Sequence, residues 1–153
     1  MSNSKRKTIL DYLRDTTLDE AVITTGNGYN NTIGITRRGM EAIDQLPDSS
    51  FPVLFITATR STRQNLSKIC IQAKMQVIIE CYVKREGDTN ALQSDLDNLI
   101  EDVTKALYQD QTLNGNADWL EVLEITTDDS DLAPYGAAGI LVEISYNTEG
   151  ATP

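Results

Sequence analysis

The chain predicts an α/β fold of the α+β kind: a mixed, largely antiparallel sheet packed against two main helices, with a projecting β-hairpin. Three observations carry this. Leu92, Leu96, Leu99, Ile100, Val103 and Leu107 recur at spacings of three and four, one apolar stripe of a helix over 88–109. Two other segments, 69–83 and 139–146, alternate apolar and polar residues with the period of a half-buried strand. Gly- and Asn-bearing turns separate these runs, as at Leu113-Asn114-Gly115-Asn116. The 153 residues are one domain by size, long enough to bury about two-thirds of the unfolded surface.

Taken in order, Thr8 and Asp11 form a T-x-x-D capping pattern ahead of a first helix near Thr8–Thr17, with Ile9, Leu10 and Leu13 on its apolar side. Residues 1–7 then read as a flexible basic arm carrying Lys5, Arg6 and Lys7. Residues 8–148 form the domain and 149–153 a tail. Thr24–Thr32 is a Gly/Asn loop, and Arg37–Ser50 is polar and irregular. Pro52–Thr57 is a strand that opens at a proline, an allowed position. The polar segment Arg60–Lys68 leads into the longer pattern.

In that pattern Ile69, Ile71, Ala73, Met75, Val77, Ile79, Cys81 and Val83 share one face. Extended, Ile69–Lys84 spans about 53 Å, whereas a body of this length has a radius of gyration of about 15 Å and a diameter near 38 Å. The strand is either broken by a bulge or forms an arm with Pro52–Arg60. The arm is the favoured reading, and it requires another chain to bury its apolar face, because a lone hairpin is marginal in water. In the later helix, Asp95, Asp97, Glu101 and Asp102 lie off the stripe and are expected to face solvent. Two strands follow, separated by the acidic loop of Asp128, Asp129 and Asp131.

Chemistry is sparsely encoded. Histidine is absent, which removes the commonest general base and the usual partner of a nucleophilic Ser or Cys. No Walker motif occurs, and Gly26-Asn27-Gly28 is too short for a dinucleotide fingerprint. Asp128, Asp129 and Asp131 are candidates for a divalent cation, but they lack EF-hand spacing and read better as a solvated turn. Cys70 and Cys81 lie about 36 Å apart along an extended strand and on opposite faces, which excludes a disulfide between them. No cofactor is expected, and no enzyme. The longest uninterrupted apolar run, Val53–Ile56, is far short of a membrane span, and Asp11 interrupts any leader-like stretch in Met1–Leu13.

Charge is distributed unevenly. Residues 1–85 carry 12 Lys/Arg and 8 Asp/Glu, a net of +4, whereas 86–153 carry Lys105 and 15 acids, a net of −14. With an isoelectric point near 4.3, nucleic-acid recognition is disfavoured. Halves of opposite sign exposed on different sides instead let neighbours dock head to tail. The candidate contact residues are Arg37, Arg38, Arg60, Arg63, Lys68 and Lys74 on the basic side, and Asp128, Asp129 and Asp131 on the acidic side.

A helix ending "AL-x-x-D-x-TL-x-G", a strand ending "TTDD", an "LAPYG" turn and a final "ILVEISY" strand resemble the tail terminator (tail completion) proteins of long-tailed bacteriophages. Phe51-Pro52-Val53-Leu54-Phe55-Ile56 is similar to a central strand of that family, and the resemblance covers most of residues 8–148. It implies a ring-forming structural subunit, usually a homo-hexamer, at the tail–neck junction of the virion, assembled in host cytoplasm. Its partners would be the tail tube protein, a neck or connector protein and, in a contractile tail, the sheath. DNA would pass through the ring without sequence-specific binding. The alternatives are another neck or head–tail completion protein and, in a different class, a cytoplasmic α+β enzyme or small-molecule-binding domain.

Overall fold

The computed structural model describes residues 4–67, 70–128 and 132–148. Five strands form one sheet in the order β1-β2-β3-β5-β4: β1 Ile35–Arg38, β2 Val53–Asn65, β3 Ile71–Lys84, β4 Trp119–Thr127 and β5 Tyr135–Thr148. Only β1 and β2 run parallel; the other neighbours are antiparallel. Two helices complete the α+β plan, α1 (Lys5–Tyr12) and α2 (Thr89–Gln109).

α1 begins three residues before the position that the Thr8 pattern predicts. The Ser4 hydroxyl caps it by accepting from the Lys7 backbone N–H at 3.0 Å. Thr8 instead donates its hydroxyl to the Ser4 carbonyl, as mid-helix hydroxyls do. Lys5, Arg6 and Lys7, assigned to the arm from the sequence, therefore belong to the first turns. The Lys7–Asp11 pair at 2.6 Å has the i,i+4 spacing that rewards this start. Beyond Tyr12 the helix widens to a π turn over Leu13–Thr17.

α2 matches its stripe. Asp88 caps it by accepting from the Ala91 N–H at 3.0 Å, and Leu92, Leu96, Leu99, Val103 and Leu107 are buried. They join Val77, Ile79, Ile140, Val142 and Ile144 in one core between helices and sheet. Asp102 departs from the reading: it is buried at 1% exposure. Its carboxylate accepts from the backbone N–H groups of Asn30 (2.9 Å) and Asn31 (2.8 Å) and from the Asn31 side chain (3.0 Å). The loop over residues 24–32 is thereby pinned to α2. Lys105 above the Tyr29 ring (4.6 Å) and the Tyr29 hydroxyl donating to Gln109 (2.9 Å) add to that attachment.

β2 and β5 are longer than the sequence reading gave, whereas β3 starts at Ile71, Ile69 lying outside the described residues, and the length is accommodated differently. β3 is unbroken over 14 residues, and β5 flanks it throughout, from Lys84↔Tyr135 to Ile71↔Thr148. Ala73, Met75, Val77, Ile79 and Cys81 are fully buried within the chain itself. The expectation that another chain must cover this apolar face is thus corrected. The segment 60–65, read as a polar connection, is the second half of β2, and Arg37 and Arg38 lie in β1 rather than in irregular chain. β2 shifts register at Ala58/Arg60, and β4 at Val122/Glu124. The cysteines are free, Cys81 buried and Cys70 partly exposed.

On the face away from α2, a second small cluster forms where Ile35, Ile43, Leu46 and Phe51 pack onto Val53, Phe55 and Tyr82. Phe55 and Tyr82 meet edge to face at 5.7 Å. Gly34 makes this cover possible: a Cβ there would lie 2.0 Å from the Ser50 carbonyl oxygen. Over the rest of that face the described residues are half-buried or exposed, as at Arg60, Lys74, Ile78 and Leu141.

Candidate functional site at the sheet edges

The basic residues assemble along the β1/β2 side. Arg38 donates to Asp11 at 3.2 Å, Arg14 approaches the same carboxylate at 3.6 Å, and Lys7 binds it at 2.6 Å. Asp11 is the acid at the centre of these cations, and its carboxyl is held below the ordinary range first by the Lys7 hydrogen bond and then by Arg38. Arg6 donates to the Ser61 hydroxyl at 2.6 Å and shares a surface hollow with Arg14, Arg38 and Ile56. Arg37 reaches Glu41 at 2.7 Å. Arg60 and Arg63 stand exposed on the outer half of β2, and Lys74 is exposed on β3. Of the basic candidates, Arg37, Arg38, Arg60, Arg63 and Lys74 thus lie on or beside this side of the sheet, while Lys68 lies outside the described residues. Arg6 and Arg14 were not foreseen. The spacing of Lys7, Asp11 and Arg14 on one helix face was the signal for Arg14, whereas Arg6 was placed in the basic arm.

The opposite side is acidic and apolar. β4 carries Glu121 and Glu124 and no base, and Trp119, Leu123 and Ile125 are 51%, 45% and 43% exposed. Strand register places Glu121 opposite Glu143 and Glu124 opposite Leu141, on the open face. Beside them an open groove of about 350 Å³ has Ile78, Ala137, Gly139 and Leu141 as its floor, and Glu80, Glu124, Thr126 and Asp128 around it. Gly139 leaves the dent, since a Cβ there would sit 3.3 Å from the Thr126 hydroxyl. Burial raises the Glu80 carboxyl above its ordinary value. Asp128 borders this groove, whereas Asp129 and Asp131 lie outside the described residues. Among the described residues, no group of three His, Cys, Asp or Glu side chains is arranged to hold a metal ion.

No known family model matches the chain. No curated protein matches it in sequence.

The arrangement follows from chain order. Residues up to Arg85 build β1, β2 and β3, and those after it build α2, β4 and β5. Because the sheet keeps these strands in two blocks, the sign change along the sequence becomes a sign change across the sheet. No helix of the described residues is long and apolar enough to cross a membrane.

Proposed function

We propose that this chain is a structural virion subunit of the tail-terminator kind, which forms a ring, caps a tail tube and joins it to the neck. The observation that carries the reading is the polarity of the sheet: a basic β1/β2 side and an acidic, apolar β4 side on one subunit. Unlike edges on one body favour head-to-tail contacts, which close into rings when the rotation permits. The resemblance of 51–56, 106–115 and 132–146 to tail terminators supplies the capping role and the expected six copies. A terminator binds the exposed end of a growing tube, so its ring copies one docking face of the tube and lacks the other.

Removing the gene from the genome that carries it tests the reading by electron microscopy of the progeny. Uncapped tubes, overlong or without heads, are the expected outcome. Tails of normal length attached to heads would overturn the role. A second reading, a small-molecule-binding domain, rests on the groove, whose volume of about 350 Å³ falls within the range of ligand pockets. Self-association without ligand separates the two, because a binding domain of that kind has no need of it.

A further inference from the structure

Two stretches of strand edge have no neighbouring strand among the described residues. β1 pairs with β2 only along Val53–Ile56, so the outer side of β2 is unpaired from Thr57 to Asn65. β4 ends the sheet on the other side. An unpaired edge presents a row of free N–H and C=O groups that another strand can take. Part of β4 is already blunted: Gln111 donates to the Leu120 carbonyl at 2.9 Å, and the Val122 N–H donates to the Tyr108 hydroxyl at 3.1 Å. From Leu123 to Thr127 no such cap is present among the described residues, and there Leu123 and Ile125 are exposed.

The two free edges complement each other. Thr59–Asn65 reads TRSTRQN, with two arginines and no acid, whereas β4 reads WLEVLEITT, with two glutamates and no base. Direction agrees as well. β2 and β5 run one way, β3 and β4 the other. A second copy placed alongside in the same orientation therefore brings its β2 antiparallel to β4 of the first. The open faces then lie on the same side. Arg60, opposite Gln76, and Glu121 and Glu124, opposite Glu143 and Leu141, all stand on that face. Cross-strand pairs of opposite charge are favourable and like pairs unfavourable.

We propose that β4 of one copy pairs antiparallel with Thr59–Asn65 of β2 in the next, continuing the sheet across subunits. Each copy uses one edge of each kind, so the contact is heterologous. The proposal deepens the ring reading and rests on it for its biological sense, while its geometry comes from the sheet alone.

Analytical ultracentrifugation of the full chain, with hydrogen exchange read by mass spectrometry, provides the test. Wild-type protein should self-associate, and exchange should slow in 59–65 and 123–127 as it does. Glu124→Arg and Arg60→Glu should each weaken association by about tenfold through like-charge contact. An equimolar mixture should recover wild-type assembly, because the arginine introduced on β4 of one variant meets the glutamate introduced on β2 of the other, while the two untouched edges still match. Recovery on mixing also demonstrates that both variants are folded. A wild-type monomer at every concentration, slowed exchange confined to other segments, or no recovery on mixing would each overturn the pairing. Any of these results alongside tails that remain capped in cells would remove the pairing and leave the capping role standing.

Discussion

Replacing Asp102 with Ala tests the least expected feature of the fold. Its carboxylate accepts three hydrogen bonds, from two backbone N–H groups and one side-chain amide, at 2.8–3.0 Å. Hydrogen bonds to a charged group contribute about 1.5–3 kcal/mol each, but bonds sharing one acceptor do not add. Asn30 is exposed, so water can reach part of what the truncation frees. The expected loss is about 3 kcal/mol, which for a domain of this size lowers the melting temperature by about 6–12 °C. Glu101→Ala, one residue away and exposed, should stay within about 0.5 kcal/mol. Asp102→Asn keeps one oxygen acceptor and should fall between the two. Urea titration followed by far-ultraviolet circular dichroism measures all three. An Asp102→Ala cost below about 1 kcal/mol, or one equal to that of Glu101→Ala, would refute the account of the loop as pinned through this carboxylate.

Leu99→Ala should cost about 2–5 kcal/mol in the same titration, because Leu99 is fully buried between α2 and the sheet. Arg37→Glu combined with Arg38→Glu should weaken self-association in light scattering while leaving the monomer folded, since exposed ion pairs contribute at most about 1 kcal/mol each. Salt should act in the same direction, exposed pairs being screened beyond about 8 Å at physiological ionic strength. Glu80→Gln should stabilise the protein at neutral pH. Burial raises the Glu80 carboxyl, so the folded state holds its proton more tightly than the unfolded state, and stability falls as pH rises from the ordinary carboxylate value through the raised one. Melting curves across that range should show the gain shrinking to nothing at low pH. Of the two thiols, only Cys70 should react with an aromatic disulfide reagent in the native protein, because Cys81 is fully buried and burial pushes its thiol up. Two equivalents reacting without denaturant would contradict this.

The helix α2 and the buried faces of β3 and β5 were legible because each repeats one periodicity over many residues, and the turn at 113–116 because Asn and Gly mark it. β1 was not legible: four residues, two of them arginine, carry no pattern, and pairing with Val53–Ile56 makes the strand. The outer half of β2 was missed for a related reason. TRSTRQN lacks alternation, yet it is held as strand by its register with Ile71–Gln76. The Asp102 contacts join residues about 70 positions apart, and in a chain with 23 acids nothing local marks this one. The apolar edge of β4 was hidden by its bulge. The segment was read as a strand, which it is, but the register shift at Val122/Glu124 breaks its period, so the solvent exposure of Leu123 and Ile125 was not legible. Of the candidate contact residues, the basic side was half visible through Arg37, Arg38, Arg60 and Arg63. Its α1 members were lost with the misplaced helix start.

The long hairpin separates two needs that the sequence reading treated as one. A strand must bury its apolar side chains, and its backbone edge must find hydrogen bonds. The first need is met inside the chain, since β5 runs beside β3 to its end and Ala73 and Met75 are buried in the main core. The second is not met by another strand for β2 beyond Ile56 among the described residues, because β1 stops there. A polar, arginine-bearing edge tolerates water and resists indiscriminate pairing. It therefore discriminates in favour of an acidic strand over an apolar one. The β4 edge, which carries Glu121 and Glu124, is such a strand, and its Trp119, Leu123 and Ile125 are exposed. The proposed pairing would thus draw specificity from charge on one edge and apolar area from the other.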